Sequence, residues 1–269
     1  MPTFAANLSL LFTELDFLDR FAAARNAGFD AVEFLFPYAF EPRQISARLQ
    51  RYDLQLALFN MPAGDWTAGE RGIACDPRRI EEFRDGVQLG IDYALELGVP
   101  HLHCLAGIRP PRVEHERAHA TYVENLRHAA EECRLHELDL LIEPINDRDI
   151  PGYFLTGTCQ AAAIIAECGA KNLFLQYDIY HMQRMEGDLA ATIRQHLPLI
   201  RHIQLADVPG RHQPGSGEIN FPYLFRLLDE LGYTGWVGCE YAPQGATVDS
   251  LDWLALERTR SHAAQVDRK

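Results

Sequence analysis

Apolar runs of six to eight residues alternate along this chain with longer segments whose apolar residues recur at helical spacing. The runs TFAANLS (3–9), AVEFLF (31–36), LQLALFN (54–60), HLHCLA (101–106), LDLLIEP (138–144), NLFLQYD (172–178), IRHIQLAD (200–207) and GWVGCE (235–240) predict eight strands. Between them, ELDFLDRFAAARNAG (14–28), RRIEEFRDGVQLGIDYALELG (78–98) and ERAHATYVENLRHAAEECRLHE (116–137) predict amphipathic helices. The order helix, glycine, strand recurs at Gly28, Gly98, Gly169 and Gly232, as expected where glycine closes a helix. Eight βα units in a chain of this length predict an α/β fold, a single (β/α)8 TIM barrel over residues 1–269. An open doubly wound sheet would want a glycine-rich turn after an early strand, and NLSLLF (7–12) supplies none.

Composition narrows the function without changing the fold. Hydrophobic residues make up 47% of the 269, enough for a sizeable core. The formal charge of −13 repels nucleic acid and anionic membranes, so neither is an expected partner, and an anionic ligand needs local cationic help. No basic leader and no run of membrane-spanning length is present, and the six scattered cysteines lack a CxxC pair. Reduced thiols in a cytoplasmic protein are the expectation. Nothing here excludes a homo-oligomer. Lysine occurs only at 171 and 269, so basicity rests on arginine.

Candidate chemistry lies at the strand ends. Strand 5 should end on Glu143, strand 6 on Asp178, strand 7 on Gln204 with Asp207 just beyond, and strand 8 on Glu240. In a parallel barrel these ends share one face, the face that carries active sites. Crowded carboxylates repel unless a proton or a cation lies between them. Hard oxygen donors without Cys or His point to Mg²⁺ or Mn²⁺ rather than zinc. One acidic strand end is most simply a solvated cap; four polar ends in succession call for a site.

The segments NLSLLF, GFDAVEFLFPY (28–38), NMPAGDWTAGERGIA (60–74), EEFRDGV (81–87), LLIEPIN (140–146), QYDIYHMQRMEG (176–187), HIQLADVPGRHQPGSGEIN (202–220) and GWVGCEY (235–241) resemble the hydroxypyruvate isomerase family of xylose-isomerase-like TIM barrels. The resemblance runs from Phe4 to about Trp253. It implies Glu143, Asp178, Gln204 and Glu240 as metal ligands, with Glu143 and Glu240 also passing protons on opposite faces of a small anionic keto acid. The wider superfamily often has His where this chain has Gln204. It also implies that His181 bonds a substrate oxygen and that Arg211 binds the substrate carboxylate. Arg71 and its neighbour Glu70, in the long loop 63–77, are the second candidates for substrate binding, and a simple pair between the two is the plainer reading. Glu33 and Asn7 are read as supporting residues behind the ligands, and His101 and His103, near the start of strand 4, make no metal motif. Lysine chemistry has no residue to use, because Lys171 precedes strand 6 at the opposite face. Three functions follow for comparison: a keto-acid isomerase acting on hydroxypyruvate, 2-oxotetronate or a similar compound; a metal-dependent endonuclease; and a non-catalytic barrel. The negative charge and the His-free strand ends argue against the second, and the complete ligand set against the third.

Overall fold

The computed structural model describes residues 2–266 and realises all eight predicted strands. They are β1 (Thr3–Asn7), β2 (Ala31–Phe34), β3 (Gln55–Asn60), β4 (His101–His103), β5 (Asp139–Ile142), β6 (Leu173–Asp178), β7 (Ile200–Leu205) and β8 (Trp236–Cys239). Every neighbouring pair is parallel and β8 pairs back onto β1, closing the barrel in sequence order. The helices are α1 (Phe17–Asn26), α2 (Pro42–Tyr52), α3 (Ile80–Leu97), α4 (His115–Arg134), α5 (Thr158–Cys168), α6 (Ile179–Met185), α7 (Leu189–His196), α8 (Phe221–Glu230) and α9 (Asp252–Val266). Among the described residues no helix is long and apolar enough to cross a membrane.

Strand period two sorts the residues of each strand into two environments. Val32 and Phe34, Leu140 and Ile142, Leu173, Leu175 and Tyr177, and Val237 and Cys239 are buried in the large apolar layer between barrel and helices. Their alternates fill the lumen. At the N-terminal end these are Ala5, Ala31 and Ala57, packed with Trp236. At the C-terminal end they are Asn7, Glu33, His103, Gln176, Asp178, His202 and Gln204, all buried.

Local signals set several helix starts. Pro42 opens α2 behind a reciprocal capping box between Glu41 and Gln44. The α6 helix follows β6 without a loop, and Asp178, the last residue of the strand, caps it through its side chain. All four predicted helix-closing glycines have positive φ.

Two strand bounds differ usefully from expectation. The first strand stops at Asn7 instead of residue 9, and the fourth at His103 instead of residue 106. Beyond His103 the apolar run leaves the barrel, with Ala106 bridging Gly72 and Ile108 bridging Tyr153. His103 is therefore not near the start of a strand. It is the last residue of β4, at the same end as Glu143.

Candidate active site

The C-terminal end of the barrel gathers six of the residues singled out in the sequence. Glu143 is the first residue after β5, Asp178 ends β6, Gln204 lies one residue from the end of β7, and Glu240 directly follows β8. Ligating atoms of Glu143, Asp178 and His181 all lie within 4.8 Å of one another. Arg211, in the loop after β7, forms an ion pair with Glu240, and its Nη2 lies 3.8 Å from Asp178 Oδ2. Its guanidinium also stands 5.2 Å from the centre of the Tyr180 ring.

Capping duty orients Asp178. Its Oδ1 accepts from the Tyr180 N–H at 2.7 Å and the His181 N–H at 3.4 Å. The other oxygen, Oδ2, is buried and has no hydrogen-bond partner, and the same is true of Glu143 Oε1. Glu143 Oε2 accepts from Gln176 Nε2 at 3.1 Å, which leaves Oε1 as that carboxylate's free oxygen.

Gln204 is held from both sides. Its Nε2 donates to Glu33 Oε1 at 2.8 Å, and its Oε1 accepts from Gln176 Nε2 at 2.6 Å. Glu33 in turn accepts from Asn7 Nδ2 at 2.9 Å and meets His202 Nε2 at 2.6 Å. Its carboxylate lies over Gly238, where an added Cβ would collide with it. Asn7 also reaches Glu240 at 3.3 Å.

Burial without full compensation shows in the ionisation. Glu143 is pushed well above the usual carboxylate range, first by burial and then by the negative charges of Glu240 and Asp178. Asp178 rises to about 6 and Glu240 to about 7 through burial, with Arg211 pulling both the other way. Burial drives His181 well below its ordinary value, helped by the Arg211 charge. One arginine against three carboxylates leaves the cluster at −2 if all are ionised.

Two orphaned buried carboxylate oxygens, a third carboxylate and a glutamine amide make an electron-rich, oxygen-dominated donor set. That set fits a hard divalent cation. The fit rests on donor type and on oxygens that lack any other partner.

The remaining candidates sit elsewhere. Arg71 stacks on Trp66, with its guanidinium carbon 4.0 Å from the ring centre, and its Nη1 donates to the carbonyls of Trp66 and Glu70. The Glu70 side chain pairs with Arg79 and accepts from the Asp65 N–H, so the two neighbours meet through backbone rather than as an ion pair. Asp207 organises the loop after β7, accepting from the N–H groups of Val208, Gly215, Gly217 and Ile219.

Sequence reasoning missed Gln176, His202, Asn146 and the position of His103. His103 Nε2 lies 3.5 Å from Glu143 Oε2 and Nδ1 meets Asn60 Oδ1 at 3.0 Å. For Gln176 and His202 a signal was present: each is a polar residue two positions before a candidate ligand, on the same lumen-facing period. Asn146 carried none, because its role depends on a partner 35 residues away.

Together, a closed parallel barrel and a buried carboxylate cluster at its C-terminal mouth define a barrel enzyme with a site suited to a hard cation. The profile of the family described as xylose isomerase-like TIM barrel matches residues 21–256. The hydroxypyruvate isomerase of Escherichia coli is 53% identical over 254 residues, covering 94% of this chain and 98% of the relative. A 2-oxo-tetronate isomerase of Cupriavidus necator is 49% identical with the same coverage. A crystal structure from Brucella melitensis, described as an AP endonuclease of family 2, superposes with a TM-score of 0.93 at 45% identity, over 95% of this chain and 98% of that one. The chain belongs to the xylose isomerase-like TIM-barrel family, among its hydroxypyruvate isomerases.

Proposed function

We propose that this protein interconverts hydroxypyruvate and tartronate semialdehyde by proton transfer through an enediol. The observation that carries the reading is a pair of glutamates, Glu143 and Glu240, buried together at the C-terminal mouth of the barrel; burial raises both above the ordinary carboxylate range, Glu240 to about 7. An acid or base is most effective when its pKa lies near the working pH, and each such transfer contributes roughly 10²–10⁴ in rate. One glutamate takes the proton from the hydroxyl-bearing carbon and the other returns one to the neighbouring carbon, while the hydroxyl proton leaves its oxygen and the former carbonyl oxygen gains one, which balances the two tautomers. The sequence relatives named for hydroxypyruvate and 2-oxo-tetronate support a short keto acid as substrate.

Substrate charge is met by Arg211. Its Nη2 is engaged by Glu240, but its Nε is buried without a partner and offers a donor to the substrate carboxylate. Arg71 and Glu70 belong to the long loop beside the mouth and shape substrate entry rather than chemistry. Glu143, Asp178, Gln204 and Glu240 would hold Mg²⁺ or Mn²⁺. When bound, the ion supplies polarisation of the carbonyl and stabilises negative charge on the enediol. Lys171 stands before β6, at the far end of the barrel, so a Schiff base has no amine among the described residues. All six cysteines are unpaired, which supports a reducing, cytoplasmic setting.

The endonuclease reading has one observation in its favour, the name of the Brucella structure. A chain carrying −13 charges is poorly suited to a polyanion. One assay separates the readings. Purified protein is chelated, then given hydroxypyruvate, 2-oxo-tetronate or abasic DNA with Mg²⁺ or Mn²⁺ restored, in D₂O. Metal-dependent isomerisation with solvent deuterium on the carbon that gains hydrogen is expected. Full activity without metal would sink the ligand assignment, and failure to isomerise either keto acid would sink the function.

A further inference from the structure

We infer that Asn146 is a positioning residue that holds His181 as its Nε2–H tautomer, making His181 a hydrogen-bond donor into the site and not a metal ligand. The inference deepens the isomerase reading and rests on it only for the identity of the oxygen that receives the bond. Its basis is an accounting of hydrogens around one buried amide.

The Asn146 side chain is oriented by Asp149. Oδ1 accepts from the Asp149 backbone N–H at 2.9 Å, and Nδ2 donates to Asp149 Oδ2 at 3.0 Å. Rotating the amide by half a turn would set Oδ1 against a carboxylate oxygen and the NH₂ against an N–H. Nδ2 is therefore the nitrogen, and it carries donors only. Its second hydrogen points to His181 Nδ1 at 2.6 Å, where the Asn146 backbone N–H also approaches at 3.4 Å. Two donors converge on Nδ1, so Nδ1 must present its lone pair. The ring proton is then on Nε2. A doubly protonated ring would place N–H against N–H and is excluded by the same geometry.

Nε2 faces the two orphaned oxygens, at 3.6 Å from Asp178 Oδ2 and 3.8 Å from Glu143 Oε1. Both distances exceed a hydrogen bond. The hydrogen on Nε2 therefore enters a gap bordered by carboxylates, where a ligand oxygen would receive it. A protonated nitrogen has no lone pair for a cation, although by proximity alone His181 groups with Glu143 and Asp178 as a potential ligand. Only the tautomer separates the two roles.

The orienting chain continues outward. Tyr180 donates its hydroxyl hydrogen to Asp149 Oδ2 at 2.9 Å, and Arg184 Nη1 donates to the Tyr180 oxygen at 2.8 Å. Asp149, fixed by these contacts, fixes the amide that fixes the ring. Outer partners of this kind typically alter activity or affinity by about 10–100-fold when removed.

The test reads the tautomer directly. Protein labelled with ¹⁵N-histidine is examined by long-range ¹H–¹⁵N spectroscopy at pH 7.5, metal-free and with saturating Mg²⁺, and His181→Gln assigns the signals. The expected result is a protonated, pyrrole-like Nε2 and an unprotonated Nδ1 in both states. A protonated Nδ1 in either state overturns the inference. Asn146→Asp replaces the donor with an acceptor and should move the proton to Nδ1. Asn146→Ala should lower turnover about 10–100-fold while Mg²⁺ affinity, measured by titration calorimetry, changes less than about threefold. A matching loss of affinity would make His181 a ligand and overturn the assignment. The spectra are read without substrate, so failure of the isomerase function would leave them intact, and the reverse also holds.

Discussion

Along three strands of the barrel, a step of two residues separates opposite solutions to filling the lumen. Ala5 and Asn7 share β1, Ala31 and Glu33 share β2, and Trp236 and Gly238 share β8 with Glu240 just beyond. The lower set is apolar and needs no partners: Ala5, Ala31 and Trp236, packed with Ala57 of β3. The upper set is charged or amide-bearing, and its burial is tolerated only where hydrogen bonds reach. They reach Glu33 completely and Glu143 and Asp178 incompletely. The N-terminal end is thus filled without polar partners, whereas the C-terminal end leaves buried carboxylate oxygens unsatisfied, in an arrangement that could hold a cation.

The sharpest way to break the comparison is at the upper end. Glu240→Gln should lower turnover by about 10²–10⁴, and excess Mg²⁺ should not restore it, because an amide ligates but takes up no proton. Asp178→Asn should chiefly weaken metal affinity, so excess metal should recover part of its activity. Neither change should lower the melting temperature of chelated protein, since each relieves repulsion among buried carboxylates. Steady-state kinetics across a metal titration, with thermal melts alongside, decide it; equal rescue of both variants would contradict the dual role proposed for Glu240.

A smaller effect is expected where the two ends meet. Gly238→Ala would press a methyl group onto the Glu33 carboxylate, which is anchored by Asn7, His202 and Gln204 and cannot retreat. Stability and turnover should fall together, by about 1–3 kcal/mol in the first case. Ala31→Leu overfills the lower layer at a similar cost of about 1–3 kcal/mol, yet its turnover at permissive temperature should stay within twofold of the parent. A large loss of turnover in Ala31→Leu would mean the lower end is coupled to the chemistry.

Much of this contrast was legible in the chain itself. The strand positions follow from period and apolar length, and the polar strand ends from the interruption of that pattern at Glu143, Asp178, Gln204 and Glu240. Errors arose where local pattern and tertiary path diverge. HLHCLA reads as six residues of strand, but its last residue, Ala106, is pulled into a loop bridge with Gly72, so the strand ends at His103, at the mouth. Gln176 hid inside an apolar strand, although it shares its period with Asp178. Asn146 was invisible because its side-chain contacts, to Asp149 and His181, are set by the fold. Arg71 and Glu70 were adjacent in sequence, but the loop spends them on Trp66 and Arg79 instead.

The smallest effect concerns pH and stability, and opposing signs must be separated to see it. Glu240, raised to about 7, Asp178, raised to about 6, and Glu143 hold protons in the folded chain that the unfolded chain releases. Their contribution is full below the ordinary carboxylate range and is lost as pH rises through the folded values. Burial does the reverse to His101, lowered to about 4, His103, lowered to about 3, and His181. Those rings contribute stability above pH 6.5 that is lost as pH falls, so a single melting curve against pH mixes both trends. The difference between metal-saturated and chelated protein removes the histidine part, provided His181 is not a ligand. A cation binds the deprotonated carboxylates, so its stabilisation should grow as pH rises from 5 to 8. At a hundredfold excess over the dissociation constant the upper limit is about 2.7 kcal/mol, or roughly 5–10 °C in a chain of this size. Melts with Mg²⁺ and with chelator should therefore diverge toward pH 8 and converge near pH 5. A gap that stays constant across that range would show that the cation binds away from these carboxylates.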